Sequence, residues 1–83
     1  MSDRAGCIGS IVDIMKGAWD LPADCNEGEL YTYAEILFDR IEAGEDKESL
    51  YDFLAEAQVR SLEMPPSGAS RAIVDRAVDL VRG

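Results

Sequence analysis

The chain has 83 residues, of which 47% are apolar and 30% charged, with a formal charge of −9 at pH 7 and no histidine. That length supports one modest hydrophobic core, and the composition is that of a folded domain, too apolar for a disordered one. The missing imidazole excludes His-based triads, imidazole proton shuttles and the usual nitrogen-and-sulfur metal sites, and the acidity argues against a binder of phosphate backbones, which needs Lys and Arg to neutralise them.

Four segments carry helical periodicity and none alternates over a strand length, so the pattern predicts an all-α fold: a small four-helix bundle in one domain, residues 1–83. A three-helix core with a frayed N-terminal helix is the alternative. The first helix runs from about Asp3 to Trp19, where Ile8, Ile11, Val12, Met15, Ala18 and Trp19 recur at three- and four-residue steps. Gly6, Gly9 and Gly17 each cost about 1 kcal/mol relative to Ala inside a helix, which implies either close backbone packing there or fraying of the first turns. Trp19 continues the stripe and reads as a packing anchor; the corner Trp19-Asp20-Leu21-Pro22 could also present the indole for recognition.

Asp20 to Gly28 has loop composition, with Pro22, Asn26 and Gly28 among acids. The second helix, Glu29 to Ala43, places Leu30, Ala34, Leu37 and Ile41 on one stripe and Glu35, Asp39 and Glu42 on the opposite side. Gly44 stands where a left-handed C-terminal cap belongs, and Asp46 where the next helix needs an N-cap. The connection is short, so helices two and three are expected as antiparallel neighbours. The third helix, Lys47 to about Glu63, buries Leu50, Phe53, Leu54, Ala57 and Met64 and ends at Pro65-Pro66. Ser67 or Ser70 is the expected cap of the fourth helix, which reaches about Val81. Ile73, Ala77 and Leu80 form one of its stripes and Val74, Val78 and Val81 a second. A surface this wide predicts either a position between other helices or a homodimer seam through the fourth helix.

Twelve acidic residues lie between Asp20 and Glu56 against only Arg40 and Lys47, so the net negative charge is confined to the middle of the chain. A localised field predicts a face for a basic protein surface, such as that of a nucleic-acid-binding protein or a toxin. Its charges would be Glu35, Asp39, Glu42, Asp52 and Glu56, and its aromatic contacts Tyr31 and Tyr51, while Phe38 and Tyr33 border the core. A solvated surface that keeps a small protein soluble is the plainer account of the same charges. The pairs Glu35/Asp39, Asp39/Glu42 and Asp52/Glu56 have a spacing that can set two oxygens on one cation. Di-iron bundles, however, place Glu-x-x-His motifs inside the core, so no metal or other cofactor is expected. Catalysis is not expected either, for want of a nucleophile, base and electrophile that could be assembled.

No apolar run is long enough for a membrane span, and the N-terminus lacks the pattern of a signal peptide. Cys7 and Cys25, without a CxxC pair, are expected as reduced thiols of a cytoplasmic protein, with their pairing left open.

Glu48-Ser49-Leu50 is similar to the Asp-Ser-Leu motif that opens a helix in acyl carrier proteins. The resemblance implies a phosphopantetheine arm on Ser49; here Glu replaces the Asp, the preceding Gly-x is missing, and an amphipathic helix occupies the place of that family's long loop. Taken in order, Trp19-Asp20-Leu21-Pro22, Glu29-Leu30-Tyr31, Ile36, Ile41 and Lys47-Glu48-Ser49-Leu50 resemble a family of small bacterial all-helical proteins of unknown function. That family is marked by a Trp-Asp-Pro-like corner, an acidic Tyr-containing helix start and a Ser-x-Glu-Glu-Leu-like step; in this chain Leu21 separates the Asp from the Pro. The likeness extends from Ile8 to Leu62, implies a compact helical fold without known catalysis, and transfers no functional residue. The resulting expectation is a non-enzymatic acidic binding module acting as an inhibitor, immunity-type or accessory adaptor protein. A carrier modified at Ser49 and a structural homo-oligomer are the alternatives.

Overall fold

The computed structural model describes residues 3–21, 27–61 and 68–83. They form four α-helices, α1 (Arg4–Ala18), α2 (Glu27–Glu42), α3 (Lys47–Glu56) and α4 (Ala69–Arg82), with a π-helical turn, Ala57–Ser61, continuing α3. No strand occurs among the described residues. The fold is therefore the all-α four-helix bundle that the periodicity predicts, with α1 a full member of it.

Asp3 caps α1: its carboxylate accepts the Gly6 N–H at 3.0 Å. A Cβ at Gly6 would stand 2.5 Å from an Asp3 carboxylate oxygen, so any other residue there would require the capping side chain to shift. Gly9 and Gly17 border open space, yet α1 is helical through both, so neither close packing nor fraying accounts for them. At the other end, the Asp20 N–H bonds the Gly17 carbonyl and the Leu21 N–H reaches back to that of Lys16, at 3.4 and 3.1 Å. This is the paired closure of a helix whose next residue is left-handed, and Asp20 has φ 51°. The Trp-Asp corner is thus a helix stop in which Asp fills the place usually given to Gly, a conformation short polar side chains tolerate better than most.

The second helix starts at Glu27, two residues earlier than the loop composition suggested. Its first turn carries Glu27 and Glu29, which complement the positive end of the helix dipole. Glu27 is also paired with Lys16 of α1 at 2.8 Å, and the Thr32 hydroxyl donates to the Gly28 carbonyl at 3.0 Å. At the far end Gly44 (φ 87°) adopts the expected left-handed cap, with Gly44 N–H to Ile41 O and Glu45 N–H to Arg40 O. Arg82 of α4 donates to the carbonyls of Ile41 and Glu45 at 3.1 and 2.8 Å, so a cation closes the negative end of α2.

Asp46 caps α3 as expected, accepting from the Ser49 N–H at 3.0 Å. The α-helical hydrogen bonding stops at Glu56, well short of Glu63, and gives way to the π turn. Leu50, Leu54 and Ala57 are buried, but Phe53 is only half-buried because it lies at the edge of the stripe, toward α2. Sequence reading missed Gln58, which is 2% exposed. Its side-chain oxygen accepts the Trp19 indole N–H at 3.0 Å inside the core. Trp19 is accordingly an anchor, as the stripe implied, with its polar tip satisfied within the protein.

The fourth helix begins after Gly68 without a side-chain cap. Ser70, expected as a cap, lies inside the helix and is buried, while Ser67, Pro22, Cys25, Asn26, Glu63, Met64 and Pro65-Pro66 lie outside the described residues. Its core residues are Ile73, Val74, Ala77 and Val78. Leu80, assigned to the core stripe by its spacing, is 40% exposed: it falls at the edge of the apolar arc in the last turn. The width of the arc follows from position, since α4 packs against α1, α2 and α3. Val74 and Val78 are thereby buried within one chain, and Val81 is half-buried. Helices α1 and α2 also pack together. The contact of α2 with α3 is thinner and side-chain mediated: the Tyr33 and Phe53 rings lie 6.2 Å apart and the Arg40 guanidinium sits 4.8 Å above Phe53.

Two glycine substitutions separate these roles. Gly9→Ala, with free space and ordinary helical backbone, should raise the unfolding free energy by about 1 kcal/mol. Gly44→Ala, strained by its positive φ, should lower it by a similar amount. Urea denaturation of the two variants beside the parent checks both signs; a gain for Gly44→Ala would refute the cap assignment.

Candidate functional site

At 100° per residue, the apolar stripe of α2 leaves two separate flanks. Tyr31, Glu35 and Glu42 fall on one flank, beside Phe38 and toward α1. Tyr33 and Arg40 fall on the other, toward α3. The same reckoning on α3 puts Phe53 on the α2 side and Tyr51 on the α4 side. The seven residues read from the sequence as one face therefore belong to three places.

The first place is the α1 side of α2. Tyr31 is 42% exposed beside Glu35 and Glu42; Asp39 is exposed on the outer face of the helix, and Ile36, 38% exposed, lies beyond it toward the Arg40 flank. Arg4 of α1 reaches this surface and forms an ion pair with Asp39. Its guanidinium also lies 5.4 Å over the Phe38 ring. The hydrogen bond to Asp39, helped by the charges of Glu35 and Glu42, binds the Arg4 proton more tightly than usual. Arg4, Ala5, Ile8, Tyr31 and Glu35 line a shallow groove of about 350 Å³ between the two helices. Nothing local in the sequence links Arg4 to this surface, since it and Asp39 are 35 positions apart.

The second place is the seam of α2 with α3. Asp52 and Glu56 are exposed there, and together with Arg40, Ser49 and Phe53 they line an open groove of about 340 Å³. It continues into a smaller one, about 210 Å³, between Tyr33, Phe53, Glu56, Ala57 and Arg60. Both basic residues are engaged: Arg40 pairs with Glu45, which holds the guanidinium more firmly protonated, and Arg60 with Glu56 at 3.1 Å. Ser49, the residue matched to the carrier motif, is half-buried at the third helical position, where its backbone N–H is taken by Asp46. That bond pulls the Asp46 carboxyl below the usual carboxylate range.

The third place holds Tyr51. Its hydroxyl donates to Asp75 of α4 at 2.5 Å, and Arg71 lies 5.2 Å over its ring. Lys47 approaches the same Asp75 oxygen at 3.5 Å. The Tyr51 hydrogen bond lowers the Asp75 pKa, with Lys47 and Arg71 acting in the same direction, and the bond to Asp75 raises that of Tyr51. Tyr51 thus serves a fixed α3–α4 contact, away from the acidic α2 surface.

Among the described residues no three His, Cys, Asp or Glu side chains converge on a position that could hold a metal ion. The carboxylate pairs point outward, and Asp39 and Glu56 are already paired with arginines. Among the described residues, no helix is long and apolar enough to cross a membrane. What remains chemically is recognition: carboxylates, two exposed apolar side chains on α2 and three shallow grooves, one on its α1 side and two on its α3 side. Comparison with known proteins finds no matching family model, no matching curated protein and no matching solved structure.

The Tyr51–Asp75 pair sets a pH window. Asp75 has a folded pKa below its unfolded value, so its contribution is present above the carboxylate range and lost as pH falls through the folded pKa. Tyr51 has a raised folded pKa, so its contribution is present below the tyrosine range and lost as pH rises through it. The stability difference between the parent and Tyr51→Phe should be flat from roughly pH 5 to 9 and shrink on both sides. Denaturation midpoints across pH check this; a difference that is the same at pH 3 and pH 7 would remove Asp75 from the account.

Proposed function

We propose that this protein is a small acidic binding module, an inhibitor, immunity-type or adaptor protein, that engages a basic protein surface through the outer and α1-facing surface of α2. The observation that carries this reading is the exposure of Tyr31 beside Glu35 and Glu42, with Asp39 and then Ile36 continuing the surface around the outer face of the same helix. Carboxylates alone are satisfied by water. Partly exposed apolar side chains among them supply area that a partner can remove from water, while the charges steer the approach and reject wrong partners. The seat of Arg4 between Asp39 and the Phe38 ring supports a guanidinium as a group this surface accommodates. Asp52 and Glu56 extend the negative field on the α3 side; Tyr51, tied to Asp75, is left out of the contact.

The structure changes how this is tested. Reversing Asp39 would break the Arg4 ion pair inside the protein, so Glu35→Lys with Glu42→Lys is the cleaner variant. Asp13→Lys with Asp79→Lys changes the charge by the same amount at exposed positions outside the acidic block. Immobilised parent protein in native-host lysate is expected to retain a basic protein at low salt and release it at high salt. The Glu35/Glu42 variant should weaken the purified pair about tenfold or more, and the Asp13/Asp79 variant far less. Equal losses in the two variants would reduce the acidic surface to a solubilising role.

A further inference from the structure

The α1-facing flank of α2 repeats itself after seven residues: Tyr31, Ala34 and Glu35 recur as Phe38, Ile41 and Glu42. Seven residues are nearly two helical turns, so each pair falls within about 20° of the same bearing. An aromatic ring is thus followed by a carboxylate one turn later, twice. In the second copy a cation is already seated. The Arg4 guanidinium lies 5.4 Å over the Phe38 ring and pairs with Asp39. In the first copy the ring is far more open, with Tyr31 42% exposed against 3% for Phe38. Among the described residues no cation lies over Tyr31, and neither Glu35 nor Glu42 forms an ion pair. Arg4 therefore balances Asp39 and leaves the charges of Glu35 and Glu42 unanswered.

We propose that Tyr31 and Glu35 form a second arginine seat, one that takes a guanidinium from the basic partner. The seat rests on the acidic binding surface proposed above and names the side chain that this surface takes. The groove of about 350 Å³ lined by Arg4, Ala5, Ile8, Tyr31 and Glu35 supplies its shape. Ala5 and Ile8 offer apolar surface to the aliphatic stem, the Tyr31 ring offers a face to the planar head, and the two oxygens of Glu35 match paired N–H donors. Lysine fits less well, because its compact and strongly hydrated ammonium has neither the plane nor the fork. Arg4 borders the same groove without opposing the newcomer strongly, since Asp39 holds its charge. The two copies differ in one respect: Thr32 stands where the second has Asp39, so Glu35 supplies the negative charge alone.

The test titrates the full-length protein at low salt with two acetylated, amidated peptides of equal charge, tetra-arginine and tetra-lysine, and follows affinity and the Tyr31 ring resonances by NMR. The parent is expected to bind tetra-arginine about two- to fivefold more tightly than tetra-lysine, the span of an exposed cation–π contact, with the Tyr31 ring signals shifting. Tyr31→Ala should abolish the preference and Tyr31→Phe keep it, because the ring and not the hydroxyl makes the contact. Val59→Ala, which trims an exposed apolar side chain beyond α3, should also keep it. Equal affinities in the parent, a preference that survives in Tyr31→Ala, or no measurable binding of either peptide would overturn the seat. The seat and the wider surface fail separately. A lysate partner lost in Glu35→Lys with Glu42→Lys, beside equal peptide affinities, removes the seat and keeps the surface. A Tyr31-dependent arginine preference with no basic protein retained from lysate supports the seat and removes the inhibitor or adaptor role.

Discussion

Helix α2 must satisfy two demands at once: it closes the apolar core against three other helices, and it carries much of the charge that makes the protein acidic. Leu30, Ala34, Leu37, Phe38 and Ile41 occupy the arc that faces inward, so every charged side chain of the helix is pushed to a flank or to the back. One flank receives Glu35 and Glu42, the other Arg40. That partition fixes where the neighbours can supply compensation. Arg4 comes from α1 to one flank, and the Phe53 ring comes from α3 to lie beneath Arg40 on the other.

The arginines show how small electrostatic effects shape such a surface. Arg4, Arg40 and Arg71 each pair with an aromatic ring, Phe38, Phe53 and Tyr51. Arg4 and Arg40 also make ion pairs, with Asp39 and Glu45; the first is largely solvent-exposed and the second part-buried, and exposed pairs contribute little on average. Their effect is to anchor long side chains across helix boundaries by packing as well as charge. With a net charge of −9 the remaining carboxylates repel one another, and this repulsion is screened beyond about 10 Å at moderate salt. Added salt should therefore weaken the few attractive pairs less than it relieves the general repulsion.

Much of this was legible in the sequence where one physical rule acted alone. The stripes of α1 and α2, the left-handed Gly44 and the Asp46 cap follow from periodicity and backbone chemistry, which are local. The acidic block was equally plain, but its division among three surfaces was not, because the angular position of each acid matters only once the neighbours are placed. Gln58 was invisible for another reason: its spacing from Leu50 and Leu54 is that of the core stripe, but a polar side chain is buried there only because Trp19, 39 positions away, supplies its partner. Leu80 fails in the opposite direction, since its spacing is right but it lies at the edge of the apolar arc, while Val81 and Arg82 of the same turn face the core and the end of α2. Arg4 became part of the candidate surface through tertiary structure alone.

The packing of α1 on α4 also constrains the order in which the chain can organise itself. The nearest ends of these helices, Ala18 and Ala69, are 51 positions apart, whereas Ala18 and the start of α2 at Glu27 are separated by nine. Loop-closure entropy grows with the logarithm of length, by about 0.6 kcal/mol for each doubling. Pairing α1 with α2 therefore demands less entropy than pairing α1 with α4, and the first hairpin can search while the rest of the chain is still open. By the same measure α3 and α4, separated by only eight positions between Ser61 and Ala69, can pair as readily, so the α1–α4 contact is the long-range closure that joins two local hairpins.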